Sequence, residues 1–116
     1  MSPSAEPRPA PSRLEFAEHG DGDRRTLALA GELDLASSPA FNERIGEVLG
    51  SDEPVVAFDL RALTFIDSSG LHGLLNAHRR LTRQGRRFEV ICTDGPVLRA
   101  IQLARLVETL GVRLDG

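Results

Sequence analysis

The sequence predicts a single α/β domain with a mixed sheet of four to five strands and three to four helices. Short apolar runs of strand type alternate along the chain with segments of helical periodicity. Proline follows serine or glycine at two of the boundaries, where it marks the first residues of a helix. The 116 residues, 41% of them hydrophobic, are enough for one domain with a hydrophobic core.

The first twelve residues differ from the rest in composition. Prolines stand among small polar residues there, at Pro3, Pro7, Pro9 and Pro11. Such a segment buries too little apolar area to offset the entropy lost on ordering. We therefore expect a disordered leader over residues 1–12 and a folded domain over residues 13–116.

The N-terminal half of the domain begins with two strand-like runs, residues 14–16 and 26–31, separated by the turn-forming residues 19–23. These runs are expected to pair antiparallel. Ser37 and Ser38 before Pro39 then predict a helix start, with a serine as the N-cap. Gly50 predicts the end of that helix. Its apolar residues at helical spacing are Phe41, Ile45, Val48 and Leu49.

The run from Val55 to Leu60 is apolar at every position except Asp59. This pattern predicts a central strand covered on both faces. A second helix starts near residue 68 and ends at Gly85. Its predicted buried stripe consists of Leu71, Leu74, Leu75, His78 and Leu81.

The C-terminal third predicts a strand over residues 88–92 and a helix that starts near Pro96. Val97, Leu98 and Ile101 are expected to face inward in that helix. Residues 106–114 fit either a last helical turn or an edge strand.

Composition excludes several classes of function. One cysteine forms no intramolecular disulfide framework, which favours the cytoplasm. No apolar run approaches the roughly 20 residues that span a bilayer, so we expect no membrane partner. The net charge of −3 argues against a protein that binds nucleic acid as its partner.

An arginine cluster in the second half of the chain lacks the interleaved aromatic residues that stack on bases, so it is interpreted as a solvated face near a helix end. Its members are Arg79, Arg80, Arg83, Arg86 and Arg87.

Candidate catalytic and metal-binding residues form no recognisable set. Ser68 is flanked by Asp67 and Ser69 rather than by the glycines of a nucleophile elbow. No zinc-type spacing relates the histidines and Cys92, and a phosphate loop would need a lysine, which the chain lacks. We therefore expect no catalytic residue, no metal and no cofactor.

The tetrapeptide Asp67–Gly70 remains as the candidate site. Asp and Ser are ordinary helix caps, so these four residues alone favour a purely structural interpretation. They also place a hydroxyl at a helix start, where a phosphoryl group would add a charge of about −1.5 to −2 beside Asp67. Such a charge could change binding without unfolding the domain.

The surrounding sequence resembles the anti-sigma factor antagonist family. The likeness rests on a strand, the segment Leu63–Leu71 and an amphipathic helix, in that order. It covers nearly all of the chain after residue 12, including Gly31–Asp34 and Phe88–Val90. The chain differs from the commonest motif at His72, where glycine is frequent.

The resemblance implies a phosphorylation switch. In that family the unmodified antagonist binds an anti-sigma factor that is also a serine kinase, and this releases a sigma factor for transcription during a stress response. The kinase modifies the serine after the motif aspartate, here Ser68, and a serine phosphatase restores it. Both Ser68 and Ser69 lie in the first turn of the helix, so their position does not decide which of them is phosphorylated. Only the family pattern favours Ser68. The implied partner-binding residues are Asp34, Asp67, Ser69, Gly70 and His72.

The same resemblance implies that the protein is a bacterial kinase substrate rather than an enzyme, and a monomer or weak dimer. Two alternatives stay open. The first is an unphosphorylated scaffold or ligand-binding domain of the same fold, such as an accessory subunit of a transport complex. The second is a small hydrolase that uses Ser68.

Overall fold

The computed structural model describes residues 13–115, so the predicted leader over residues 1–12 lies outside the described residues. Five strands and three helices follow one another as β1 Leu14–Asp21, β2 Arg24–Leu33, α1 Ser38–Leu49, β3 Val55–Ile66, α2 Ser68–Arg83, β4 Arg87–Cys92, α3 Pro96–Leu103 and β5 Val112–Leu114. These counts confirm the predicted fold class.

The strands form one sheet in the order β1-β2-β3-β4-β5. The pair β1 and β2 is antiparallel, as predicted, and every other pair is parallel. The strand predicted to be central, β3, is the middle strand of the five. It runs to Ile66, six residues beyond the apolar run, and therefore ends beside Asp67 at the start of α2.

The hydrophobic core lies on one face of this sheet. Its strand members alternate along each strand, as Leu27 and Leu29 do in β2, and all three helices contribute to the same cluster. Phe58 is fully buried at the centre, with its ring centroid 6.0 Å from that of Phe41 on α1 and 5.1 Å from that of Phe88 on β4. A buried aromatic side chain of this kind contributes about 1.5–3 kcal/mol.

The expectation that β3 is covered on both faces was wrong. None of the three described helices packs on the face that carries Ala57 and Asp59. Ion pairs span this face instead, with Arg24 Nη1 2.6 Å from Glu89 Oε1, and Arg61 Nη2 2.8 Å from Asp59 Oδ2. Alanine is small enough to be shielded by such long neighbours, so Ala57 is buried without a helix above it.

Arg86 corrects the interpretation of the arginine cluster as a solvated face. Its side chain is buried, with a residue exposure of 8%. The guanidinium donates to the carbonyl oxygens of Glu53, at 2.7 Å, and Val48, at 3.0 Å. It also donates to Ser51 Oγ at 2.9 Å. Arg86 therefore links the end of α1 to the loop before β3 through these hydrogen bonds.

The structure decides between the two expectations for residues 106–114. They form turns followed by the edge strand β5, which pairs with β4. Leu110 is fully buried and attaches this segment to the core. Within residues 13–115, every helix is too short or too polar to cross a bilayer.

Candidate functional site

The start of α2 is fixed by Asp67. Its backbone is extended, with φ −107° and ψ −174°, and its Oδ1 accepts a hydrogen bond of 3.0 Å from the N–H of Gly70. An N-cap of this kind satisfies one of the N–H groups that have no partner within the helix. The first helical residue is consequently Ser68, as the sequence predicts.

The second carboxylate oxygen of Asp67 reaches a different segment. Oδ2 accepts a hydrogen bond of 3.2 Å from the N–H of Leu35, in the loop between β2 and α1. The N–H of Asp67 donates to the carbonyl of Leu33 at 3.2 Å. One residue thus joins the start of α2 to the end of β2 and the loop that follows it.

That loop is held by its own polar side chains. The buried Ser37 hydroxyl accepts from the N–H of Asp34 at 2.9 Å and donates to the carbonyl of Glu32 at 3.0 Å. Asp34 Oδ1 accepts from the N–H of Ser37 at 3.0 Å. Helix α1 does begin at Ser38, but Ser37 gives it no side-chain cap hydrogen bond. Its hydroxyl stabilises the loop instead, which corrects the predicted capping role.

Two glycines allow α2 to approach its neighbours closely. A Cβ on Gly70 would lie 2.7 Å from the carbonyl oxygen of Leu33, and a Cβ on Gly73 would lie 3.0 Å from the Phe41 ring. Gly70 is therefore buried, and it shapes the surface from beneath rather than forming part of it.

A polar groove of about 490 Å³ lies between α1 and α2 beside the predicted phosphorylation site. We call it the α1–α2 groove. Ser68 and His72 are exposed at its edge, whereas Ser69 is half-buried. Of the predicted site residues, the structure brings these three into the groove, and Asp34 and Asp67 hold the backbone beside it. The full lining is Ser38, Asn42, Ser68, Ser69, His72, Gly73 and Asn76.

Comparison with known proteins places this arrangement in a family. The STAS domain family model matches residues 17–115. The anti-sigma-F factor antagonist RsfB of Mycobacterium tuberculosis is 34% identical over 83 residues, which cover 72% of this chain and 67% of RsfB. The chain belongs to the STAS domain family, among the anti-sigma factor antagonists.

Solved structures share this STAS fold. An anti-sigma factor antagonist from Mycobacterium paratuberculosis superposes with a TM-score of 0.81 at 26% identity, over 89% of this chain and 87% of that one. The Bacillus protein SpoIIAA in its phosphorylated form gives a TM-score of 0.65 at 19% identity, over 88% and 92% of the two chains. Its unphosphorylated form gives 0.62 at the same identity, over 88% of each. At 19% identity the SpoIIAA likeness shows the fold alone.

The structure exposes residues of this STAS domain that the sequence did not mark as candidates. Leu35 is 73% exposed on the loop that Asp67 holds, and Phe65 is 47% exposed near the end of β3. Asn42 and Asn76 line the groove. Leu35 lies two residues after the buried Leu33, a spacing that is typical of a strand and favours burial of both. Its position between Asp34 and the helix start at Ser37–Pro39 indicates a loop instead.

Charge at the groove is sparse. Within residues 13–115, His72 is the ionisable side chain that lines it, and the other lining side chains are neutral. In the same part of the chain, no group of three or more His, Cys, Asp or Glu side chains is placed to hold a metal ion. The arrangement offers an accessible hydroxyl on Ser68, a neighbouring apolar side chain in Leu35, and polar donors across the groove.

Proposed function

We propose that this STAS domain is an anti-sigma factor antagonist switched by phosphorylation of Ser68. The unmodified form binds an anti-sigma factor that is also a serine kinase. The kinase transfers the γ-phosphoryl group of ATP to Ser68 Oγ, the hydroxyl proton is lost, and ADP leaves. The modified protein then dissociates until a serine phosphatase hydrolyses the phosphoester. In this proposal the chain is a kinase substrate in the bacterial cytoplasm, a monomer or weak dimer, and not an enzyme.

The observation that carries the proposal is the exposed hydroxyl of Ser68 at the first position of α2. A kinase must reach the oxygen that it modifies, and Ser68 is exposed whereas Ser69 is half-buried. The exposure therefore favours Ser68 over Ser69, in agreement with the family pattern. RsfB is named an anti-sigma-F factor antagonist, and SpoIIAA is known in a phosphorylated form.

The docking surface in this proposal surrounds that hydroxyl. Leu35 supplies an exposed apolar side chain, which is suited to insertion into a pocket of the partner. Ser69 and His72 supply polar contacts on α2. Asp34, Asp67 and Gly70 act through the backbone, because they fix the loop and the helix start relative to each other.

Magnitudes favour a switch in binding over a switch in folding. A negative group at a helix N-terminus is favourable by at most about 2 kcal/mol, so the modified domain stays folded. A like-charge placement at a protein interface costs several kcal/mol. If the phosphate costs about 3 kcal/mol of binding free energy, affinity falls on the order of a hundredfold.

The test combines site mapping with binding. Intact-mass and peptide mapping after incubation with candidate anti-sigma factor kinases and ATP should give one phosphate, on Ser68. In calorimetry Ser68→Ala should bind the kinase as the unmodified protein does, whereas Ser68→Asp should bind it poorly. Ser69→Ala is the matched control and should still be modified.

Other outcomes separate the alternatives. Equal binding by Ser68→Ala and Ser68→Asp would show that charge at this position does not control the complex. A chain that accepts no phosphate from any partner kinase would instead be a scaffold or ligand-binding domain of the same fold, such as an accessory subunit of a transport complex. Reaction of Ser68 with a serine-directed covalent probe would indicate a hydrolase.

A further inference from the structure

We propose that the α1–α2 groove is the seat of the phosphoryl group on modified Ser68, and that His72 pairs with it there. The inference rests on the proposed function, because it assumes that Ser68 is the residue modified. It adds a role for the residue at which this chain differs from the commonest motif. His72 would set the charge that the phosphorylated protein presents to its partner.

The two side chains are placed to meet. Ser68 and His72 are separated by four residues in α2, and both line the groove. Side chains at positions i and i+4 of a helix lie on the same face, with Cβ atoms about 5–6 Å apart. Both residues are exposed, so a phosphoryl group on Ser68 Oγ and the imidazole of His72 are free to turn toward each other.

The rest of the groove lining suits an anion. Asn42 on α1 and Asn76 on α2 carry amide groups with N–H donors, and Ser38 on α1 carries a hydroxyl. Gly73 lies between these residues, and it lets the two helices approach closely enough to bound the cavity from both sides. A phosphate in this position is near hydrogen-bond donors from both helices, and the groove lining contains no carboxylate that would repel it.

The charged groups around His72 leave it without a competing partner in the groove. Asp67, the N-cap of α2, has both carboxylate oxygens accepting from the N–H groups of Gly70 and Leu35. The next ionisable residues along α2 are His78 and Arg79, nearly two turns after His72. Helix α1 carries Glu43, Arg44 and Glu47, and the loop before it carries Asp34. Within residues 13–115, none of these side chains lines the groove.

The pairing makes the switch sensitive to pH. Histidine is the side chain whose charge changes near neutral pH, and a phosphoserine loses its second proton at about pH 6. When His72 is protonated beside a dianionic phosphate, the pair carries a net charge of about −1 rather than −2. The repulsion of the partner is therefore weaker in mildly acidic solution.

The test uses protein with phosphoserine installed at position 68 during translation, so that no kinase is needed. The readout is the midpoint of the ³¹P chemical-shift titration of the phosphoserine between about pH 5 and pH 8. In His72→Gln this midpoint should rise by about 0.2–0.4 pH unit relative to the parent, which corresponds to an i,i+4 charge pair. His72→Arg should keep the midpoint low. His19→Gln is the matched control, since His19 is exposed on β1 away from the groove, and should not change it.

Each result decides one claim. If His72→Gln titrates as the parent does, the pairing is wrong, even when the phosphorylated protein still fails to bind its partner. If the midpoint moves as expected but phosphorylated and unmodified proteins bind the partner equally, the proposed function fails and the pairing stands. Unchanged circular dichroism of the phosphorylated His72→Gln protein checks that the exposed substitution leaves the fold intact.

Discussion

Asp67→Ala tests the claim that one carboxylate stabilises two segments at once. The substitution removes the acceptor for the Gly70 N–H and the acceptor for the Leu35 N–H. Loss of an aspartate N-cap costs about 1 kcal/mol. Loss of a second hydrogen bond to a charged acceptor, at a partly exposed site, costs about another 1 kcal/mol. The expected decrease in the free energy of unfolding is therefore about 2 kcal/mol, or about 8 °C in melting temperature.

The assay is urea denaturation followed by circular dichroism, together with amide hydrogen exchange. Asp67→Asn keeps one carbonyl oxygen and should lose about half as much stability, about 1 kcal/mol. Asp94→Ala is the matched control. Asp94 also precedes a helix, α3, but the N-cap of that helix is Gly95 and no side chain makes a cap hydrogen bond there. A destabilisation of Asp67→Ala below about 0.5 kcal/mol would refute the reasoning. Faster exchange at Gly70 alone, with Leu35 unchanged, would refute the link between the two segments.

Three further predictions concern packing, pH and thiol chemistry. Gly70→Ala should destabilise the domain by about 2–3 kcal/mol in urea titrations, because its Cβ would lie 2.7 Å from the Leu33 carbonyl oxygen. The hydrogen bond from Arg25 lowers the pKa of Glu53 to about 2. The stability that this ion pair contributes is therefore present above about pH 4.5 and is lost as pH falls toward 2, which acid-denaturation curves measure. Burial raises the pKa of Cys92 to about 11, so a maleimide should label it only as fast as the protein unfolds.

Each of these has a specific control. Gly46→Ala should be neutral or stabilising, since a Cβ there meets nothing within 4 Å in the middle of α1; a loss equal to that of Gly70→Ala would disprove the packing argument. Glu53→Gln should show a shallower decline in stability between pH 4.5 and 2, and an identical decline would exclude the ion pair as its source. Rapid labelling of Cys92 in the folded protein would contradict its burial.

Local patterns in the sequence predicted most of the fold. The Ser–Pro and Gly–Pro starts placed α1 and α3, and the Asp67 cap placed α2, because these signals act within one helical turn. The nearly continuous apolar run from Val55 to Leu60 also placed β3 at the centre of the sheet. Ser68 is exposed in the structure, as the phosphorylation hypothesis requires.

The remaining features depend on contacts between distant parts of the chain, and local patterns do not encode them. The charged run around Arg86 favours a solvated position, yet its guanidinium donates to carbonyl oxygens of residues more than 30 positions earlier in the chain. Ser37 has the residue type of a cap but serves the loop. Leu35 has the residue type of a core position, and it is exposed because Asp67 holds its backbone outside the sheet.

The anchoring of two segments by Asp67 has a practical consequence for protein engineering. Because the Asp67 side chain holds the backbone of both segments, that backbone should keep its conformation when neighbouring side chains are substituted. Leu35 and His72 flank that anchor and are exposed, so they are free to vary without disturbing the core. Under the proposed function, libraries that randomise these two positions and retain Asp67 should yield variants that each bind a different partner kinase.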